Sequence, residues 1–331
     1  MDIDWKGIVG HGKNIACLLG MLREGKFPHA ALLTGPAGVG KCRVARALAA
    51  ALLCGSADGP CGRCPSCQAL RQDSHPDYYE LRPESKGKAA RVIRIEQVRE
   101  MQAEVARLPI LSKSRVVVID DADLMNEAAE NSLLKTLEEP AGQVTFLLVT
   151  SSRAALLDTI VSRCMPVSFG MLPEDALTEL LMSHGVSAEE AGELAVLSDG
   201  SMGRAMALHE SGGRKLRDDA VRFLETLGTA DMDAVWVRGK TMGDMSREML
   251  SEWFMYLGML LRDLLVLYHG GGSGIVYHRD LRSRLLELLP DFPEARVFAM
   301  LRLTQESQRR LPANVNLRLF AEGFLIRFGE L

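Results

Sequence analysis

Hydrophobic positions along the chain fall into two rhythms, and the change from one to the other lies near Phe169. Before it, short continuous apolar runs at 30–33, 115–119, 145–150 and 165–169 are each bounded by polar or glycine-rich residues. Runs of that length read as buried strands. Between them the apolar spacing is helical, predicting helices over 14–25, 41–54, 95–108 and 126–139, the last stopped by Pro140. Two shorter strand-like stretches, 77–81 and 91–95, flank the polar loop PESKGKAAR. Strands that alternate with helices predict a parallel α/β sheet.

After Phe169 the strand pattern stops. Helices are predicted over 173–184, after the capping box Ser187/Glu190, and from 199–201 onward. Further helices are predicted over 215–227, 246–268, 281–289, 294–311 and 314–328. In the second of these, Leu250, Trp253, Phe254, Leu257, Leu261, Leu264 and Leu265 make the broad apolar face of a bundle core. The glycine-serine stretch 270–274 reads as a connector. Three domains are therefore expected: an α/β domain over 1–170, a small helical lid over 171–212, and an all-helical domain over 213–331.

The first apolar run leads into GPAGVGKC, Gly35 to Cys42, and then into an alanine-rich helix. Strand, glycine loop and helix in that order make a P-loop. Gly35, Gly38 and Gly40 let the backbone curl until several N–H groups face one phosphate, and Lys41 reaches the outer phosphates. ATP or ADP is the implied ligand. One position departs from the motif. Ser or Thr should follow the lysine and place a hydroxyl on Mg²⁺, but Cys42 stands there, and a soft thiol is a poor ligand for a hard cation. The second apolar run, RVVVI, ends in Asp120, Asp121 and Asp123. Ligands of such sheets bind at the carboxyl edge, so Asp120 fits the Walker B role. Asp121 stands where a hydrolytic enzyme places Glu to orient water, and it is one methylene shorter.

Cys54, Cys61, Cys64 and Cys67 form C-x6-C-x2-C-x2-C, four of the seven cysteines. Two C-x2-C steps with Gly59, Pro60, Gly62 and Pro65 at the turns predict a closed four-thiolate Zn²⁺ site. His75 is taken as structural, since four thiolates fill the shell. The composition is that of a globular protein, 47% hydrophobic and 25% charged, with net charge −4 and pI about 6.0. That excludes a uniformly basic nucleic-acid coat, although Lys86, Lys88, Arg91 and Arg94 cluster locally. No apolar stretch is long enough for a membrane span, and the N-terminus lacks the layout of a signal peptide, which points to the cytoplasm.

P-loop, cysteine module, VVVIDDAD, NSLLKTLEEP and TIVSRC follow one another in an order and spacing that resemble the AAA+ clamp-loader subunits of bacterial DNA polymerase III. The resemblance spans essentially the whole chain, including LPANVNL at 311–317. It implies a RecA-like parallel sheet with a zinc insert, a lid, and a C-terminal collar that joins a hetero-oligomer. It also implies partners: gamma/tau and delta subunits, the sliding clamp, and primed DNA through the assembled complex. The motor subunit of that family carries Ser or Thr after the P-loop lysine, an Asp-Glu pair, and a lid arginine. This chain has Cys42, Asp121 and, at the lid position, Gly203, with Arg204 one residue off, about 100° around a helix. The resemblance therefore implies a stator-type subunit with weak or absent hydrolysis; the alternative is an active gamma/tau-like ATPase. By the same resemblance Arg163, in SRC, is an arginine finger acting in trans on a neighbour's ATP.

Overall fold

The computed structural model describes residues 3–56, 59–85, 91–140, 142–210, 212–227, 232–270, 276–311 and 316–331. Five strands, β1 (Ala30–Thr34), β2 (Tyr78–Leu81), β3 (Arg115–Ile119), β4 (Val144–Thr150) and β5 (Met165–Ser168), form one sheet in the order β2-β3-β4-β1-β5. Every pairing is parallel. All five C-terminal ends therefore share one edge. The helices of this part are α1 (Gly12–Arg23), α2 (Lys41–Leu53), α3 (Pro65–Arg71), α4 (Ile95–Val105), α5 (Glu127–Glu138) and α6 (Asp158–Val161).

The two-residue period of the strands divides the core. Leu32, Val117, Ile119, Phe146 and Leu148 pack on one face with Val98 and Met101 of α4 and Leu133 and Leu137 of α5. Ala31, Leu33, Val116, Val118, Leu147 and Val149 pack on the other with Leu18 of α1, Val44 and Leu48 of α2, and Leu70 of α3. Buried on both faces, these strands must be continuously apolar, which is why they were visible as runs. This is the expected parallel α/β architecture of the P-loop kind, with the cysteine module inserted between α2 and β2.

Two expectations need correction. The stretch 91–95 is no strand: Val92 and Ile93 make isolated bridges to Glu84 and Met125, and Arg94 then opens α4 through a capping box with Gln97. The helix expected to reach Leu108 ends at Val105. The Arg115 guanidinium takes the carbonyls of Arg107 and Leu108, so these residues turn away from the helix.

The later helices are α7 (Glu174–Ser183), α8 (Ala188–Leu197), α9 (Met202–His209), α10 (Gly212–Thr226), α11 (Met232–Gly243), α12 (Arg247–Tyr268), α13 (Arg282–Leu288), α14 (Glu294–Arg310) and α15 (Leu317–Gly329). The chain divides into two compact units. The first takes in the described residues of Met1–Lys86, Arg91–Ala195 and Asp199–Gly203; the second is built on Arg204–Leu331. In the second, Trp253 and Phe254 of α12 pack edge to face on Phe324 of α15. Helix α11 has no counterpart among the expected elements. Residues 271–275 of the connector, 312–315 of the LPANVNL tail, and Lys86 and Lys88 lie outside the described residues. Among the described residues no helix is long and apolar enough to cross a membrane.

Candidate functional site

The loop between β1 and α2 has the curl its glycines require. Gly35, Gly38 and Gly40 all have positive φ. A Cβ on Gly35 would meet the Phe169 carbonyl oxygen at 2.2 Å, and one on Gly38 the Ser201 Oγ at 2.4 Å. The loop is tied down through five successive carbonyls. Lys41 Nζ donates to Gly35 O at 2.8 Å and to Pro36 O at 2.6 Å. Ser201 Oγ donates to Ala37 O at 3.0 Å, the Gly203 N–H to Gly38 O at 3.1 Å, and His11 Nε2 lies 2.8 Å from Val39 O. With these carbonyls occupied, the backbone N–H groups at the start of α2 are the part of the loop suited to an anion. At the lid, position 203 thus contributes a backbone N–H and no side-chain cation. Burial pulls the Lys41 pKa down, against the charges of Asp123, Asp121 and Asp120.

The metal-anchoring position holds a thiol in an anionic corner. Cys42 Sγ lies with carboxylate oxygens of Glu80 and Asp120, all within 4.8 Å of one another. Burial, and then the charge of Asp120, push the thiol pKa far above its ordinary value, so Cys42 stays a neutral S–H. Glu80 is already committed. Arg46 pairs with it through Nη2 at 2.7 Å, Arg82 Nε at 2.6 Å, and the Tyr78 hydroxyl donates at 2.6 Å. Burial opposes ionisation of Glu80, but these donors outweigh it and bring the pKa to about 2. Neither Glu80 nor Arg46 was singled out by the sequence, because neither lies in a motif.

Asp120 and Asp121 follow β3. Asp121 has a left-handed backbone (φ 50°, ψ 51°), and its carboxylate lies 3.4 Å from an Arg91 amine. Burial and the neighbouring Asp120 raise its pKa. Asp123 is held at the β4 edge by the hydroxyls of Thr150 and Ser151, at 2.8 and 2.9 Å.

The four thiolate candidates converge. Cys54, Cys61, Cys64 and Cys67 place their Sγ atoms within 4.8 Å of one another, and Cys54 and Cys64 are 3.8 Å apart. A tetrahedron with Zn–S bonds of ~2.3 Å has edges of ~3.8 Å, so the spacing fits zinc. The sulfurs also accept backbone N–H bonds of the kind thiolates need: Ser56 and Cys61 donate to Cys54, and Cys67 to Cys64, each at 3.4 Å. Backbone donors, Arg63 foremost, bring Cys61 to about 6, while burial pushes Cys67 up to about 12. A buried thiol of that kind ionises when a cation is bound beside it. His75 is no fifth ligand: its Nε2 lies 3.2 Å from Ser112 Oγ, and its Nδ1 accepts the Asp77 N–H.

Arg163 follows α6. Its Nη1 donates to Thr159 O at 2.8 Å and its Nη2 pairs with Glu138 at the end of α5. The side chain is half-buried, 33% exposed, against 48% for Glu138. Glu138 lies in the NSLLKTLEEP run, but its pairing with Arg163 depends on how α5 and α6 pack and is invisible in sequence.

The profile of the family described as "DNA polymerase III, delta subunit" matches residues 10–173. The DNA polymerase III subunit delta-prime of Pseudomonas aeruginosa is 35% identical over 92% of this chain and 92% of its own length. The chain belongs to the DNA polymerase III delta-prime family. The Escherichia coli delta-prime subunit is 31% identical over 86% of this chain and 83% of its own length. The Escherichia coli tau subunit is 32% identical, but the match takes in 36% of tau. Delta-prime is thus matched almost end to end, tau through a third. Among solved structures, a gamma-subunit-related protein of Thermotoga maritima is similar over 96% of this chain and 99% of its own, with 15% identity and a TM-score of 0.41.

Proposed function

We propose that this delta-prime family chain is the stator-type subunit of a clamp loader. It assembles with gamma/tau and delta through its helical region, residues 213–331, and helps the complex place a sliding clamp on primed DNA. Working in the cytoplasm, it hydrolyses ATP weakly or not at all by itself. Its contribution to hydrolysis is Arg163, a guanidinium offered to the γ-phosphate held by a neighbouring subunit. Cys54, Cys61, Cys64 and Cys67 hold a structural Zn²⁺, which leaves no position for catalytic water.

The observation that carries the reading is the place of Cys42. The loop keeps its curl and its lysine, so Gly35, Gly38, Gly40 and Lys41 retain an anion cradle for ATP or ADP. Yet the group at the Mg²⁺-ligating position is a soft thiol that lies with Asp120 and an arginine-locked Glu80. Lacking that ligand, and with Asp121 and Gly203 replacing the water-orienting Glu and the lid arginine, the chain is a cradle without a hydrolytic apparatus. ATP turnover by the purified chain, beside a gamma/tau subunit and a Lys41→Ala control, tests this. Turnover at the level of the motor subunit, abolished by Lys41→Ala, would establish the active-ATPase reading instead.

A further inference from the structure

Glu130, in the first turn of α5, is an acid buried without a cation: it is 5% exposed. It opens the stripe Glu130, Leu133, Leu134, Leu137 and Glu138, whose spacing of three and four residues puts all five on one helix face. The leucines of that stripe pack into the core with Leu156, Ile160 and Cys164, from the segment that carries α6. An apolar side chain would complete the stripe. Instead a carboxyl lies there, its Oε1 without a hydrogen-bond partner, and among the described residues no cation pairs with it. Burial raises its pKa, and the group that opposes this is the backbone N–H of Leu157. A buried acid with no cation lowers stability. The helix dipole does not account for it, since Glu127, exposed in the same turn, already complements that dipole from solvent.

Leu157 is the entry to α6. That helix is four residues long, and Leu157, at its N-cap, supplies no side-chain cap. So short a helix does not hold by itself. The entry N–H instead donates to Glu130, from the neighbouring helix. From Leu157 backbone bonds run on to Arg163: the Ile160 N–H donates to Leu157 O at 2.9 Å, and the Arg163 N–H to Ile160 O at 3.1 Å. Ile160 between them is fully buried. At the far end Arg163 pairs with Glu138, the last member of the same α5 stripe. Helix α5 thus grips this segment twice, by Glu130 at the buried end and by Glu138 at the exposed one.

We propose that Glu130 is a positioning residue for Arg163: through Leu157 it fixes the seat of α6 on α5, and with it the direction in which the guanidinium leaves the chain. The inference rests on the trans role proposed above for Arg163. Glu130 itself touches no nucleotide. Its work is placement, because a guanidinium displaced by ~1 Å from a reacting phosphate can lose ~10²-fold in rate. The Glu138 pair cannot supply that placement, since it must open for the guanidinium to turn to a phosphate. The hold on Leu157 does not involve the guanidinium and persists through that change. A side chain that acts elsewhere is precise only when the element beneath it is locked by packing and hydrogen bonds, and here a buried carboxyl supplies the lock.

The test uses the full-length chain in a complex reconstituted with gamma/tau and delta, and reads ATP turnover in the presence of clamp and primed DNA. Glu130→Leu completes the apolar stripe and removes the acceptor; Glu130→Gln keeps a carbonyl for the Leu157 N–H. Glu130→Leu should lower kcat by about tenfold to a hundredfold, with KM for ATP and the melting temperature not impaired. Glu130→Gln should recover most of that loss. In an Arg163→Ala background Glu130→Leu should cost nothing further, because both act through one guanidinium. Unchanged turnover in Glu130→Leu, beside a loss in Arg163→Ala, overturns the positioning role and leaves the trans role standing. Unchanged turnover in Arg163→Ala sinks the trans role itself. Equal losses in Glu130→Leu and Glu130→Gln, or a further loss on top of Arg163→Ala, also overturn the proposal. Amide exchange reads the lock in the chain alone: the Leu157 N–H should be protected in the native protein and in Glu130→Gln, and should exchange fast in Glu130→Leu. Fast exchange at Leu157 in the native protein overturns the lock outright.

Discussion

Replacing Arg163 by Ala separates what the residue does for its own chain from what it does for a neighbour. Inside the chain its bonds are an acceptor at Thr159 O and a pair with Glu138 that is part-exposed on both sides. A part-exposed ion pair of this kind contributes ~0–1 kcal/mol. Its loss should shift the melting temperature by about 3 °C or less. In the proposed trans role the same guanidinium would face charge developing on a γ-phosphate, where arginine fingers contribute ~10³–10⁵ in rate, or ~4–7 kcal/mol. The two roles differ several-fold in energy, so one variant distinguishes them. A complex reconstituted with Arg163→Ala should assemble normally and turn over ATP far more slowly at the site it abuts. Glu138→Gln removes the in-chain partner and leaves the guanidinium; it should cost less than about tenfold. Turnover unchanged in Arg163→Ala would refute the trans role. So would equal losses in the two variants, because then the pair itself, and not the guanidinium, would be the working unit.

Further outcomes follow from the rest of the molecule. The native chain should carry about one zinc, and Cys64→Ser/Cys67→Ser should release it and lower the melting temperature of the first unit; metal analysis with calorimetry checks both. Cys42→Thr restores a hydroxyl to the metal position but leaves Asp121 and Gly203, so steady-state turnover should stay below about a hundredth of a motor subunit's. Burial opposes ionisation of Asp77, but the N–H groups of Ile110, Ser112 and Leu111 outweigh it and hold the carboxyl below its ordinary range. Its contribution to stability is therefore complete above the unfolded carboxyl pKa of ~3.9 and disappears as pH falls through the lower folded value. Asp77→Asn should remove that part of the acid limb in a stability-against-pH curve, and an unchanged limb would count against the assignment.

What was legible in the sequence shares one property: it is local. The strands showed because burial on both faces makes them continuous apolar runs, and the four cysteines because turn residues enforce their spacing. The P-loop showed because glycines at fixed offsets have a single backbone explanation. What stayed hidden depends on partners far along the chain. Asp77 looked like the first residue of a strand and Arg115 like the start of another; that they bond one loop from behind follows only from β2 lying beside β3. The end of α4 was misplaced for the same reason, since a distant guanidinium captures its would-be carbonyls. Glu80 and Arg46, 34 residues apart, meet only in the folded sheet.

The pattern of these bonds bears on the proposal that this chain keeps a phosphate loop without the usual Mg²⁺ ligand after its lysine. Carboxylates gathered at one sheet edge repel one another, and a bound metal would normally offset that repulsion. Here protein groups stand in. Glu80 is neutralised by Arg46 and Arg82, Asp123 is held by two hydroxyls, and Asp121 faces Arg91. Lys41 turns two of its protons to the loop's own carbonyls. Glu80, Asp121 and Asp123 thus each have a protein partner at this edge. Arg163 pairs with Glu138 where both side chains are part-exposed, and a pair of that kind contributes little to stability. A largely buried Glu80 paired to two arginines at the chain's own nucleotide edge, and a part-exposed pair at the guanidinium proposed to act elsewhere, is a distribution of charge that suits the proposed role of lending catalysis to a neighbour.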